Sequence, residues 1–103
     1  MVIVIADIQI VAGKRAEFLE LFNALVPTVH AEERCIEYCP TVDVATDIER
    51  QATMNPDVVT VVEKWKDVDC LKAHLVAPHM TAFRESAGDL IAGLNLRIVE
   101  PAV

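Results

Sequence analysis

The chain has 103 residues, 53% of them apolar, and sixteen acidic against nine basic side chains leave a net charge of −7. That length predicts a single domain over 1–103, and the acidic balance repels phosphate backbones, which argues against nucleic acid and anionic membranes as partners. No apolar run approaches the ~20 residues of a membrane-spanning helix. The opening MVIVIADIQIV has no basic segment and carries Asp7, so it reads as a strand rather than a leader, and the protein as cytoplasmic.

In that first strand Val2, Val4, Ala6, Ile8 and Ile10 form one fully apolar face. Ile3, Ile5, Asp7, Gln9 and Val11 form another that is mostly apolar, and a strand apolar on both faces is covered on both. Gly13 breaks it. Phe18, Leu21, Phe22, Leu25 and Val29 then recur at helical spacing, and Pro27 predicts a kink or an early stop. His30, Glu32 and Glu33 fall in the last turn or the exit loop. Ile36 to Cys39 alternates as a second strand, with Pro40 marking an edge or a bulge. The segment 45–57 is polar, long for a loop, and reads either as a lid in which Ile48 and Met54 fold back or as a hairpin extension. Val58 to Trp65 is a β-branched third strand. Asp67 caps a helix whose apolar stripe is Val68, Leu71, Leu75 and Val76. Pro78 starts another, with Met80, Phe83, Ala87 and Leu90 inward. Leu94 to Ile98 is the fourth strand.

The order β-α-β-β-α-β predicts an α+β, ferredoxin-like antiparallel sheet with its helices on one face. The other face is left bare. Apolar content above the usual ~45–50% points the same way, to surface hidden in a second copy.

Three cysteines, Cys35, Cys39 and Cys70, lack metal-ligand spacing. On one strand face Cys35 and Cys39 stand about 13 Å apart, too far for a disulfide. They read as small buried thiols in a reduced compartment.

Four motifs occur in order: Gly13-Lys14 before Phe18, Glu33-x-Cys35-x-x-Tyr38, Glu63-x-Trp65, and Leu71-x-x-His74-x-x-x-Pro78-His79-x-x-x-Phe83. In these, over nearly its whole length, the chain resembles the antibiotic-biosynthesis monooxygenase domains, including the quinol monooxygenase-like members. It departs from them at Arg34, where the family usually has Gly, and in a longer connection before the third strand. The resemblance implies a homodimer whose sheets pack face to face into a barrel-like core, with a pocket between sheet and helices in each subunit. It also implies oxidation of a small aromatic or quinol substrate by O2 with no cofactor. Some relatives degrade haem, but the iron-ligating histidine falls at Arg84 and the first-strand asparagine at Asp7. The branch that isomerises a phosphorylated sugar carries tyrosine where Trp65 stands. A non-oxidative isomerase or decarboxylase, and a ligand-binding dimer without catalysis, are the rival readings.

Trp65 is either core or a platform for a flat aromatic, with its indole N–H as an oriented donor. His74 and His79 are five apart, about 140° around a continuous helix, so they would not chelate one ion and no metal is expected. With strand 1 between strands 3 and 4, Asp7, Glu63, Trp65 and Arg97 gather on one face, where a carboxylate of raised pKa would serve as base for a phenolic proton. The expected catalytic group is Trp65 with His79, His30 or Asp7 as proton acceptor. Tyr38, Glu63, His74, Phe83 and Arg97 are the expected substrate contacts.

Overall fold

A computed structural model describes residues 1–103. The elements in order are β1 (Val2–Ile10), α1 (Arg15–His30), β2 (Cys35–Thr41), β3 (Val58–Trp65), α2 (Val68–Leu75), α3 (Pro78–Ala87), a short 3-10 turn (Gly88–Leu90) and β4 (Ile91–Val99). The four strands form one antiparallel sheet in the order β2-β3-β1-β4, so the ferredoxin-like arrangement holds. The second helical region is two helices.

The register follows from hydrophobicity. Val4 stands opposite Glu63, Ala6 opposite Val61 and Ile8 opposite Val59, so the most apolar faces of β1 and β3 coincide under the helices. Val2, Val4, Ala6, Ile8, Ile10, Val59, Val61 and Trp65 are all buried there, against Phe18, Phe22, Leu25 and Val29 of α1. Each large apolar side chain so buried contributes roughly 1.5–3 kcal/mol. On the opposite face Ile3, Ile5, Asp7 and Gln9 are only half-buried.

Several expectations change. Leu21 is exposed. Pro27 does not stop α1, which runs on to His30. Val68 and Val76 are exposed, and the inward positions of α2 are Leu71 and His74. Asp67 does cap this helix, accepting from the Cys70 N–H at 2.9 Å. Ile48 and Met54 are 65% and 45% exposed, so the 45–57 segment does not fold back as a cap.

The register of β2 shifts between Cys35 and Glu37: Cys35 pairs with Trp65, but Glu37 pairs with Lys64. One extra residue flips the faces. Tyr38 therefore turns inward and is buried while Ile36 is exposed. Cys35 and Cys39 part to opposite faces, Cys35 half-buried and Cys39 exposed, so the thiols are not all buried. Just before β2, Arg34 adopts φ 62°, the left-handed region in which a side chain is strained and glycine is not.

The helices cover β2, β3 and β1 but leave the inner side of β4 open. Leu94, Leu96 and Ile98 pair with Ile8, Ala6 and Val4 and so lie on the helix side, yet all three are about half exposed, at 55%, 46% and 53%.

Candidate functional site

Between the sheet and the helices lies an apolar cavity of about 120 Å3. Ala6, Ile8 and Val61 form its floor, Phe22, Tyr38 and Phe83 its walls, and Leu94 and Leu96 its open side. Its polar groups are Glu63, His74 and Arg84. The volume is small beside the ~300–1,000 Å3 of most ligand sites, so an occupant must be flat or extend out over β4.

Glu63 is 6% exposed. Its Oε1 accepts a hydrogen bond from Trp65 Nε1 at 3.0 Å, a pairing that alternation along β3 enforces by placing both on one face. Burial pushes the Glu63 carboxyl up to about 7; the indole N–H opposes the rise and the charge of Glu32 adds to it. A buried carboxylate held by one donor is protonated far more readily than one in water.

His74 lies beside it, 1% exposed and packed on the Trp65 ring at a centroid distance of 4.6 Å. Its Nδ1 is 2.7 Å from Glu32 Oε2, and its Nε2 is 4.0 Å from Glu63 Oε1. Burial lowers its pKa, against the pull of Glu32, so the ring is neutral. The Glu32 carboxylate accepts, so the proton sits on Nδ1 and Nε2 presents a lone pair towards Glu63. His79 Nε2 donates to the same Glu32 Oε2 at 3.1 Å.

That shared partner corrects the helical-wheel expectation for the two histidines. α2 ends at Leu75, Ala77 is extended (φ −63°, ψ 143°) and α3 restarts at Pro78, so the rotation between the histidines is not that of one helix. Glu32, His74 and His79 offer ligand atoms within 4.8 Å of one another, enough to hold a metal ion. All three are already satisfied by one another, and no buried polar side-chain atom lacks a partner.

The other expected residues are dispersed. Trp65 is fully buried and does not line the cavity, its N–H engaged by Glu63. Tyr38 and Phe83 do line it; burial raises the Tyr38 phenol, with Glu63 adding to the effect, which keeps it protonated. His30 is exposed, and its Nε2 bonds the Tyr38 carbonyl at 3.0 Å. Asp7 pairs across the sheet with Thr60 and Asn95, and Arg97 with Ile5, which puts both on the face opposite Glu63 and Trp65. The expected gathering of Asp7, Glu63, Trp65 and Arg97 therefore does not form. Asp7 instead accepts from Thr60 Oγ1 at 2.7 Å, and Arg97 is exposed.

Two residues of the site were not singled out in the sequence. Glu32 sits in a polar exit loop beside Glu33, with nothing local to distinguish the two. Arg84 lies on the exposed side of α3, where its guanidinium donates to the Leu75 carbonyl at 2.7 Å and closes the gap between α2 and α3.

Residues 1–86 match the family described as Antibiotic biosynthesis monooxygenase. The chain belongs to that family. It is 38% identical, over 105 aligned positions covering all of both chains, to the Escherichia coli K12 protein named "Probable quinol monooxygenase YgiN", and equally to the Shigella flexneri protein of that name. Among solved structures it resembles a conserved protein from Methanosarcina mazei (TM-score 0.80, 24% identity, 96% of this chain and 90% of that one). It also resembles a protein from Pseudomonas aeruginosa (TM-score 0.81, 20% identity, 99% and 94%). At those identities the structural likeness bears on the fold of this family member, and its chemistry rests on the groups in the cavity.

Proposed function

We propose that the protein is a cofactor-independent monooxygenase of quinols or related phenols, with Glu63 as the proton acceptor. One observation carries this: a carboxylate poised near neutrality stands inside an apolar cavity, oriented by the Trp65 N–H. The name of the Escherichia coli relative supports the substrate class.

In the reaction the phenolic O–H proton passes to Glu63. The electron-rich ring then supplies the electron pair that binds O2 at a ring carbon, and the resulting peroxide anion takes the proton back from Glu63 to give an organic hydroperoxide. The C–H bond at that carbon and the O–O bond then break, water leaves with the carbon's hydrogen, and the second oxygen remains as a quinone carbonyl. The protein contributes deprotonation, orientation against Phe22, Tyr38 and Phe83, and exclusion of bulk water. Trp65 acts through Glu63 as a positioning residue.

We further place this chemistry in a homodimer in a reduced, cytoplasmic setting, on a substrate that is a small aromatic molecule rather than nucleic acid or membrane. The half-buried Ile3, Ile5, Val58 and Val62 on the bare sheet face favour a second sheet against them. No helix is long and apolar enough to cross a membrane, and the three cysteines are free. Oxygen uptake by flavin-free and metal-free protein over a panel of naphthohydroquinones is the test, with Glu63→Gln as the control. Turnover without O2 would favour a non-oxidative acid–base reaction at the same pair.

A further inference from the structure

Two imidazoles converge on one carboxylate oxygen. His74 Nδ1 stands 2.7 Å from Glu32 Oε2, and His79 Nε2 stands 3.1 Å from the same atom. The three side chains come from separate segments: Glu32 from the turn after α1, His74 from α2, and His79 from the first turn of α3. We propose that they form a binding site for a divalent ion of the zinc class, held through Glu32 Oε2, His74 Nδ1 and His79 Nε2. Two imidazole nitrogens and one carboxylate suit Zn2+ or Co2+, whereas Mg2+ and Ca2+ take oxygen ligands.

The distances are close to those required. An ion bonded tetrahedrally at about 2.0–2.1 Å holds neighbouring ligand atoms about 3.3 Å apart. The two hydrogen bonds to Glu32 are the contacts that the ion replaces, and they open by only a few tenths of an ångström. The two nitrogens lie no more than 4.8 Å apart and close by about 1.5 Å at most to reach that spacing. His74 is the fixed member, 1% exposed and packed on Trp65. Glu32 and His79, with side chains 14% and 26% exposed, supply the movement.

A second observation concerns the other nitrogen of His74. A metal-bound histidine donates its remaining N–H to a carboxylate or carbonyl that fixes the ring. His74 Nε2 faces the buried Glu63 Oε1 at 4.0 Å. On binding, the His74 ring proton passes from Nδ1 to Nε2 and is directed at Glu63, and the His79 ring proton passes from Nε2 to Nδ1. Both rings stay neutral, the ion stays divalent, and no electron moves.

The ion also has a way in. Glu32 lines a cleft of about 400 Å3 with Glu33, Asp67 and Asp69, against the single cation Arg34, which is paired with Glu33. That excess of carboxylates draws cations towards Glu32, and water from the cleft fills the fourth coordination position. Neither Glu32 nor His79 lines the apolar cavity. The ion is therefore a clamp across three segments rather than a participant in oxygenation, and the proposal does not depend on Glu63 as the base.

The test is a Co2+ titration of untagged, metal-free protein followed by its visible spectrum, in wild type, His79→Gln and Cys70→Ser. Cys70 lines the same cleft and is the rival ligand. Expected is one Co2+ per chain with the intense visible bands of a four-coordinate site, displaced by Zn2+. Zn2+ at about 100 times its Kd should raise Tm by about 10 °C or more. His79→Gln should weaken binding about 100-fold or more, since loss of an outer partner alone costs about 10–100-fold, and Cys70→Ser should bind as wild type does. No saturable binding at millimolar Co2+ or Zn2+, binding that survives His79→Gln, or binding lost in Cys70→Ser would each overturn the site. Should His79→Gln not fold, nitrogen-15 NMR of the wild-type histidines decides: Zn2+ must shift His74 Nδ1 and His79 Nε2 together, and a spectrum in which either is unmoved would overturn the proposal.

Discussion

The raised acidity of Glu63 has a consequence for stability that needs no substrate. Its carboxyl moves from its ordinary value of 4.5 to about 7 on folding. Between those values the folded chain holds a proton that the unfolded chain has lost, so stability falls as pH rises through the window. That difference corresponds to roughly 3 kcal/mol between pH 4 and pH 8, and for a domain of this size to a fall in Tm of about 12–24 °C. Replacing Glu63 by Gln removes the titration. Urea unfolding of wild type and Glu63→Gln, at fixed protein concentration from pH 4 to pH 8, gives the comparison. The difference between the two curves should change by about 3 kcal/mol, with the wild type losing ground as pH rises. Parallel curves would mean that Glu63 is not held in a desolvated site, and the reasoning from burial would fail.

Three more predictions concern individual residues. Trp65→Phe removes the N–H that favours the Glu63 carboxylate, so the acidic limb of the kcat/KM profile should move to higher pH; an unmoved limb would separate Trp65 from the base. Arg34→Gly relieves a left-handed backbone and should raise stability by about 0.5–1 kcal/mol in the same urea assay; a loss would mean that the exposed Arg34–Glu33 pair at 3.3 Å matters more than the strain. Asp7→Asn lies across the sheet from the cavity and should leave kcat/KM within about twofold; a large loss would return Asp7 to the proton chemistry.

Much of the fold was legible because its causes are local. The even positions of β1 are apolar without exception, Asp67 precedes a helix as a capping residue does, and Pro78 opens the next. The failures lie where one residue decides a face. Nothing in Cys35-Ile36-Glu37-Tyr38 announces the bulge that turns Ile36 out and separates Cys35 from Cys39. In α2 (Val68–Leu75) a histidine turns inward beside Leu71 while Val68, and Val76 just past its end, stay exposed; Glu32 and Glu63 flank the imidazole, and apolar spacing alone passes over it. The outward position of Asp7 follows from the apolar pattern. Laying Val59, Val61 and Trp65 over Ile8, Ala6 and Val2 fixes the register by hydrophobicity alone, and it sends Glu63 inward and Asp7 outward. Glu32 was not legible at all, since its role depends on two helices 42 and 47 residues further along the chain.

The most direct test of the central claim is oxygen consumption by protein stripped of metal and flavin, with a naphthohydroquinone as substrate and autoxidation subtracted. Saturable uptake by the wild type, lost in Glu63→Gln with the fold retained, is the predicted result. Uptake that is absent in the wild type, or equal in the two proteins, would contradict a carboxylate-driven oxygenase in this cavity.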